Sequence, residues 1–316
     1  MQKVVPPTKQ AMFDLNMKAV QLGMNYGIAN NLGQPDGEKS RKMLQSALKN
    51  GITSFDTARA YGTAEDVLGE FLKTDGAESD LFITSKLIVG LPETSSRDEI
   101  EKAMFTSVET SLAKLGINRL NCLMLHRGEE ITRYGNVVPE ILEKMIAKGY
   151  IDMAGVSVYS GDEIDTMLCY DVFSATQIPM NIFDQNLIYQ GYLDKLKEKN
   201  ITVFVRSVFL QGLFFLNPEE FTDPLLIEYA KPYSEKLRDF CKRAKMSIAE
   251  LAISFIRDVP GVTSLVLGAD TEEQIVQNVS YINAPSLSAE MRSEISKAFQ
   301  GVNMEKIMEI LRKPKK

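Results

Sequence analysis

The feature that most constrains the fold is an eightfold alternation of short apolar runs with longer segments of helical periodicity. The segments between the runs carry apolar residues at helical spacing, and each is long enough to form a crossover between parallel strands. This pattern predicts a (β/α)8 TIM barrel, a fold that typically takes about 250 residues. The predicted strands are residues 19–23, 53–56, 81–84, 120–125, 153–157, 175–177, 201–205 and 264–267.

The 316-residue length accommodates this barrel as a single domain with short additions at both ends. We assign residues 1–17 to an N-terminal extension, 18–283 to the barrel and 284–316 to a C-terminal helix and tail. A doubly wound sheet is the competing architecture, and it would normally carry G-x-G-x-x-G after its first strand. The corresponding stretch here, LGMNYGIANNLG, does not fit that motif.

Composition excludes several classes of function. A net charge of -6 lacks the basic field that nucleic-acid binding needs, so no nucleic-acid partner is expected. Three scattered cysteines and one histidine, His126, argue against disulfides and metal sites. No apolar run is long enough to span a membrane, and no signal peptide is recognisable, so we expect a cytoplasmic protein.

Polar residues follow three consecutive predicted strands, at the end of the barrel where such folds place their chemistry. Asp56 and Tyr61 come at and after the second strand, Lys86 after the third and His126 after the fourth. Because the tips of adjacent parallel strands lie about 5 Å apart, we expect these four side chains to meet.

The four residue types suit protonation of an oxygen that gains negative charge. A tyrosine has an unperturbed pKa of about 10, and a nearby ammonium lowers that pKa by favouring the phenolate. A carboxylate keeps the ammonium charged, and a histidine can hydrogen-bond the substrate oxygen. Such a set can protonate a carbonyl oxygen as hydride adds to the carbon, and a cofactor must supply the hydride.

These residues and their surroundings resemble the aldo-keto reductases, which are NAD(P)H-dependent enzymes built on a (β/α)8 barrel. The resemblance extends from about Lys18 to Asn278 and keeps the family's order of motifs. The matching stretches are FDTARAYGTAEDVLG, FITSK, LMLH, GYIDMAGVSVYS, ATQIPMNIFDQ, VRSVFLQGLFF and LVLGADTEEQIVQN.

The resemblance implies a role for each matching residue. Tyr61 would be the general acid, tuned by Lys86 and Asp56, with His126 orienting the carbonyl. Ser157 and Gln177 would hold the nicotinamide carboxamide, and Arg206 would stack on the ring. The other residues implied to bind cofactor are Gly23 and Met24 after the first strand, Ser207, Phe209, Gln211 and Gly212 after the seventh, and Gly268, Ala269, Asp270, Gln274 and Asn278 after the eighth.

Two departures from the family pattern bear on the cofactor, which could be NADP(H) or NAD(H). Val158 stands where the family usually has Asn, so one carboxamide contact is lost or replaced. The eighth loop has no cation for a 2′-phosphate, and Asp270 would repel that phosphate or accept a hydrogen bond from a ribose hydroxyl. The acids of this loop could equally cap the last helix of the barrel, so the sequence leaves the preference open.

The resemblance implies a small carbonyl or alcohol substrate, and the polar loop after the first strand favours a sugar-like compound as one candidate. Tyr26, Asn30 and Arg127 are near enough in sequence to the site to contact it. An alternative function is a non-catalytic regulatory subunit that binds cofactor and senses redox state, because potassium-channel β subunits share the family. Retention of Asp56 and the other three catalytic-type residues favours an enzyme.

Overall fold

The computed structural model describes residues 15–30, 32–75 and 81–312. Its eight strands are all parallel, pair in chain order and close through β8 onto β1. The predicted (β/α)8 barrel is therefore confirmed. The strands are β1 (Leu15–Lys18), β2 (Ser54–Asp56), β3 (Phe82–Leu87), β4 (Leu120–Leu125), β5 (Ile151–Ser157), β6 (Phe173–Pro179), β7 (Thr202–Arg206) and β8 (Ser264–Leu267).

Helices follow the strands and surround the barrel. They are α1 (Val20–Gly23), α2 (Gly37–Lys49), α3 (Ala64–Asp75), α4 (Arg97–Leu115), α5 (Glu129–Tyr134), α6 (Val137–Ala147), α7 (Gly161–Met167), α8 (Asn186–Tyr189), α9 (Tyr192–Glu198), α10 (Lys231–Ala244), α11 (Ile248–Arg257), α12 (Glu272–Ile282), α13 (Ala289–Ala298) and α14 (Met304–Leu311). The C-terminal segment thus holds two helices where the sequence predicted one. No helix of the described residues is long and apolar enough to cross a membrane.

The first strand lies four residues earlier than predicted. β1 is the mixed-polarity segment Leu15–Lys18, whereas the more apolar run 19–23 turns into the short helix α1. Burial explains why the more apolar run forms a helix: its side chains Val20 and Leu22 are enclosed in the packing around the barrel. β1 therefore begins inside the stretch 1–17 that we assigned to an extension, and residues 1–14 lie outside the described residues.

Side chains that alternate along the strands fill the barrel interior in layers. An apolar cluster occupies the part nearer the amino ends of the strands. Its members are Phe82, Cys122, Met124, Met153, Ala175, Phe204 and Val266. Nearer the carboxyl ends of the strands, the same inward face becomes polar, with Asp56, Lys86, Ser157 and Gln177 all buried. The fold thus gathers buried polar groups at the carboxyl end of the barrel.

Candidate active site

A buried ion pair joins the ends of β2 and β3. The Lys86 ammonium lies 2.6 Å from Asp56 Oδ1 and also donates to the Thr57 carbonyl oxygen at 3.0 Å. Both charged side chains are almost fully enclosed, at 1% and 0% exposure. Gln177, from β6 across the barrel, donates to the same carboxylate oxygen at 2.8 Å. Burial lowers the pKa of Lys86, and the charge of Asp56 opposes this effect.

Tyr61 lies in the turn between β2 and α3, against this pair and the single histidine. The Lys86 ammonium is 5.0 Å from the centroid of the Tyr61 ring. The His126 imidazole meets the same ring edge-on, with centroids 5.7 Å apart. The backbone N–H of His126 donates to the Leu87 carbonyl, which fixes the imidazole beside the end of β3. The structure therefore brings together Asp56, Tyr61, Lys86 and His126.

Burial controls the protonation of both rings. It raises the pKa of Tyr61, and the charge of Lys18 is the largest opposing influence. It lowers the pKa of His126 to about 4, and the neighbouring Lys86 ammonium adds to that lowering. At neutral pH the site therefore presents a protonated phenol beside a neutral imidazole. Both can donate a hydrogen bond to a carbonyl oxygen.

Gly23 fixes the turn that carries Tyr61. A Cβ added at Gly23 would collide with the backbone oxygen of Tyr61 and the backbone nitrogen of Ala64. The close approach of two backbones thus explains this glycine, and Gly23 does not line either of the cavities described below.

We expect Gly23→Ala to lower both stability and turnover, because the turn holding Tyr61 must move to admit the methyl group. Overpacking of this kind costs about 1–3 kcal/mol, and thermal unfolding with steady-state kinetics measures both effects. Gly37→Ala is the matched control, since a Cβ at Gly37 meets no atom within 4 Å. Equal melting temperatures and turnover for the two variants would contradict this reading of Gly23.

Two further polar side chains face the site from β5 and β6. Ser157 and Gln177 are both buried at the strand ends and adjacent in register. Gln177 Oε1 is buried and has no hydrogen-bond partner among the described residues. The Arg206 guanidinium donates to the Val158 carbonyl at 3.2 Å and lies 4.3 Å from the Tyr159 ring centroid. In this conformation Tyr159 occupies the stacking position next to Arg206.

Two adjoining cavities lie beside this group; Tyr159 and Arg206 line the larger one, whereas Ser157 and Gln177 line neither. The larger, about 1020 Å³, lies at the barrel mouth, and the smaller, about 410 Å³, runs between the loop after β7 and α12. Four residues line both: Lys18, Tyr26, Ser207 and Gln211. The smaller is also lined by Phe209, Gly212, Gly268, Asp270, Gln274 and Asn278, whereas Ala269 is buried and not part of this lining.

The loop after β7 has an unusual backbone that shapes the junction of the two cavities. Ser207, Leu210 and Gln211 adopt positive φ angles of 63°, 48° and 56°, and Gly212 follows at 96°. Such conformations are costly for non-glycine residues and are concentrated at ligand sites. Successive turns of this type form concave surfaces lined by backbone N–H groups that suit anions.

The residues present fit an elongated nicotinamide cofactor. The unpartnered Gln177 Oε1 can accept from a carboxamide N–H₂ group at the strand ends. A Cβ at Gly268 would collide with the Gln21 amide, so the glycine lets the Gln21 side chain lie against the wall of the smaller cavity. Among the described residues, no group of three or more histidine, cysteine or acidic side chains could hold a metal ion.

Three other predicted site residues lie apart from the barrel mouth. Met24 is 39% exposed and lines neither cavity. Asn30 lines only the smaller cavity, and its Oδ1 accepts from the backbone N–H groups of Leu32 and Gly33. Arg127 is 58% exposed and pairs with Glu129 at 3.5 Å. Loop conformation decides where these three side chains lie, and closeness in sequence to a motif does not predict that conformation.

Lys18 is the residue at this site that the sequence analysis missed. It ends β1, its Cα pairs with that of Asp56, and its ammonium reaches the rings of Tyr26 and Tyr61. A lysine at the end of a barrel strand is the same signal that identified Lys86. Because the first strand was predicted at residues 19–23, Lys18 was not identified as the end of a strand.

Comparison with known proteins establishes the family. A model of the aldo/keto reductase family matches residues 19–299. The chain therefore belongs to the aldo/keto reductase family, and it is an NAD(P)H-dependent oxidoreductase acting on a small molecule.

Individual relatives are distant. L-glyceraldehyde 3-phosphate reductase of Escherichia coli O157:H7 is 26% identical over 314 residues, covering 89% of this chain and 88% of the relative. The holo form of an aldo-keto reductase from Bacillus halodurans has a TM-score of 0.74 at 23% identity, covering 90% of this chain and 91% of that one. An aldo/keto reductase from Klebsiella pneumoniae, solved with NADP and acetate, has a TM-score of 0.68 at 18% identity, with coverage of 91% and 92%.

Proposed function

We propose that this enzyme transfers hydride between a nicotinamide cofactor and the carbonyl carbon of a small aldehyde or ketone. Tyr61 acts as the general acid of reduction and as the general base of the reverse reaction. The observation that carries the proposal is the contact of the Tyr61 ring with both Lys86 and His126, beside the buried Asp56 carboxylate.

Each residue of the site has a distinct task in this proposal. When bound, the reduced nicotinamide supplies the hydride that adds to the carbonyl carbon. Tyr61 gives its phenol proton to the carbonyl oxygen, and the Lys86 ammonium stabilises the phenolate that remains. Asp56 holds Lys86 in place and keeps it charged. The neutral His126 donates a hydrogen bond that orients the carbonyl oxygen.

The cofactor would lie along the two cavities, with the nicotinamide at the strand ends and the adenosine beside α12. Ser157 and Gln177 would hold the carboxamide, and Arg206 would flank the ring. The loop after β7, through Ser207, Phe209, Gln211 and Gly212, would cradle the pyrophosphate. Gly268, Asp270, Gln274 and Asn278 would surround the adenosine half, with the buried Ala269 supporting this wall. Gly23 would act only through the turn that carries Tyr61, and the exposed Met24 would make no cofactor contact.

We expect NADH to bind at least as tightly as NADPH. The charged side chains among the described lining residues of the smaller cavity are Asp270, after β8, and Lys18, at the opposite, barrel-mouth end. A carboxylate beside the adenosine repels a 2′-phosphate and accepts a hydrogen bond from a ribose hydroxyl. The exposed acids Glu272 and Glu273 lie in the first turn of α12, where they suit the helix dipole.

Parallel calorimetric titrations with NADH and NADPH test this expectation. Asp270→Asn should shift the ratio of the two affinities toward NADPH by about fivefold, the equivalent of about 1 kcal/mol. Glu70→Gln, an exposed change on α3, is the control. A wild-type preference for NADPH that Asp270→Asn leaves unaltered would contradict the role given to Asp270.

The larger cavity suits a short, hydroxylated substrate. Its lining includes many hydrogen-bonding side chains, among them Tyr26, Tyr159, Asn181, Gln190 and Tyr192. The Escherichia coli relative is an L-glyceraldehyde 3-phosphate reductase, which makes glyceraldehyde and its 3-phosphate natural first substrates to assay. Of the three residues proposed from sequence, Tyr26 is the one retained for substrate contact.

The assay follows oxidation of the reduced cofactor in the presence of short aldehydes with and without hydroxyl groups. Turnover that rises with hydroxylation of the aldehyde supports the proposal. Tight cofactor binding without turnover of any aldehyde or ketone would instead favour a redox-sensing regulatory subunit.

A further inference from the structure

Lys18 lies where the two cavities meet, on the inner face of the barrel. It is the last residue of β1 and pairs in register with Asp56, so both side chains point to the same face. Its ammonium is 4.1 Å from the centroid of the Tyr26 ring and 5.7 Å from that of Tyr61. Lys18 lines the large and the small cavity alike. The Lys18 ammonium therefore lies close to both phenol rings, at the junction of the two cavities.

The two lysines of the site differ in how they are held. Lys86 is enclosed and donates to the Asp56 carboxylate and the Thr57 carbonyl. None of the ion pairs that the described residues form involves Lys18. Its ammonium lies against the rings of Tyr26 and Tyr61, and the Asp56 carboxylate attracts it more weakly than these two residues do. The charge of Lys18 is therefore directed at Tyr26 and Tyr61.

We propose that Lys18 is a positioning residue for Tyr61: its ammonium stabilises the Tyr61 phenolate, and the ring of Tyr26 holds that ammonium in place. This inference rests on the proposed role of Tyr61 as general acid and base. During reduction the Tyr61 O–H bond breaks and its proton becomes the hydroxyl proton of the alcohol. The electron pair left on the phenolate oxygen then faces two ammonium groups, those of Lys18 and Lys86.

The charged and titratable groups that face Tyr61 come from several elements. They are Lys18 of β1, Tyr26 after α1, Asp56 of β2, Lys86 of β3, His126 after β4 and Arg206 of β7. His126 is neutral at neutral pH, because burial and the Lys86 charge lower its pKa to about 4. With Asp56 offset by Lys86, Lys18 and Arg206 leave the cluster net positive, and this positive charge opposes the effect of burial on the pKa of Tyr61.

The protonation of the neighbouring groups agrees with this geometry. Burial alone lowers the pKa of Lys18, but the attraction of Tyr61 and Tyr26 outweighs it, so the pKa is raised and Lys18 stays charged. Burial alone raises the pKa of Tyr26, but Lys18 outweighs it, so that pKa is lowered. Tyr61 keeps a raised pKa through burial, with Lys18 the strongest opposing charge.

The first test is the pH dependence of alcohol oxidation, in which Tyr61 must act as the base. The positive charge of the oxidised nicotinamide, when bound, would bring the raised pKa of Tyr61 down, and the rate gains as pH rises through that pKa. Removing a cation raises that pKa. Lys18→Met should therefore move the limb of the profile to higher pH by about one unit, whereas Lys18→Arg should leave it near the wild-type position. Lys102→Met, an exposed change on α4, should leave the profile unchanged. If the limb of the Lys18→Met profile lies at the wild-type pH, the proposal is overturned. This holds also if the variant binds the cofactor more weakly.

The second test needs neither cofactor nor substrate and separates this inference from the proposed function. The chain has 11 tyrosines and no tryptophan, so the tyrosinate absorbance band is free of indole overlap. In the apoprotein one tyrosine should ionise below the ordinary value of about 10. Tyr26→Phe should abolish that ionisation, and Lys18→Met should move it to higher pH. The same titration in Lys18→Met as in wild type would overturn the pairing of Lys18 with Tyr26. Full turnover in Tyr61→Phe would defeat the proposed function without altering this result.

Discussion

Tyr61→Phe is expected to lower kcat for carbonyl reduction by about 10²–10⁴-fold, the usual contribution of a positioned general acid. The phenylalanine ring keeps the contact with His126 and removes only the hydroxyl that gives the proton. Because the ring packing is retained, the affinity for the nicotinamide cofactor should stay within about twofold of wild type. Steady-state kinetics and a calorimetric titration of the cofactor measure the two quantities independently.

The matched control is Tyr170→Phe, which removes a hydroxyl at the amino end of β6, where Tyr170 packs edge-on against Phe173. Its turnover should equal that of wild type. Equal turnover in Tyr61→Phe and Tyr170→Phe would eliminate Tyr61 as the acid. A parallel fall in cofactor affinity would instead assign Tyr61 to binding.

Lys86→Met is expected to reduce both activity and stability. The substitution leaves the Asp56 carboxylate fully buried without its counter-charge, which costs about 3–5 kcal/mol of folding free energy. The pKa of Tyr61 should rise further when this ammonium is lost, so the pH limb of alcohol oxidation should move to higher pH. Denaturant unfolding and pH–rate profiles measure the two effects.

The double variant Asp56→Asn, Lys86→Met separates structure from catalysis. Removing the carboxylate charge as well should recover most of the lost stability, because no uncompensated buried charge remains. Turnover should stay low, since the cation that stabilises the phenolate is still missing. Recovery of turnover together with stability would mean that Lys86 serves the fold alone.

The barrel and its central cluster were predictable because both follow from short-range patterns. Alternation along a parallel strand fixes which residues face inward, and strand ends at adjacent positions must meet. Asp56 and Lys86 therefore meet, as their positions at the ends of neighbouring strands predict. The contact of Gln177 with Asp56, from strands on opposite sides of the barrel, depends only on both side chains pointing inward.

The rest depended on features that no local pattern encodes. The apolar run 19–23 buries its side chains as a short helical turn, and the first strand is Leu15–Lys18. Because the strand was predicted four residues too late, Lys18 was not recognised as a strand-end residue. Asn30 uses its side chain to close a turn, and Arg127 turns to Glu129 at the surface. Loop conformations of this kind depend on competing hydrogen bonds, which residue types alone do not decide.

Isotope transfer tests directly whether hydride passes between a nicotinamide ring and a carbonyl carbon beside Tyr61. Wild-type protein is incubated with glyceraldehyde and a reduced cofactor that carries deuterium at both hydrogen positions of the nicotinamide C4, and the alcohol is analysed by mass spectrometry. We expect wild-type protein to form alcohol with one deuterium on the carbinol carbon, and Tyr61→Phe to form much less of it. Alcohol formed without deuterium, or with equal deuterium yield in the two proteins, would contradict this expectation.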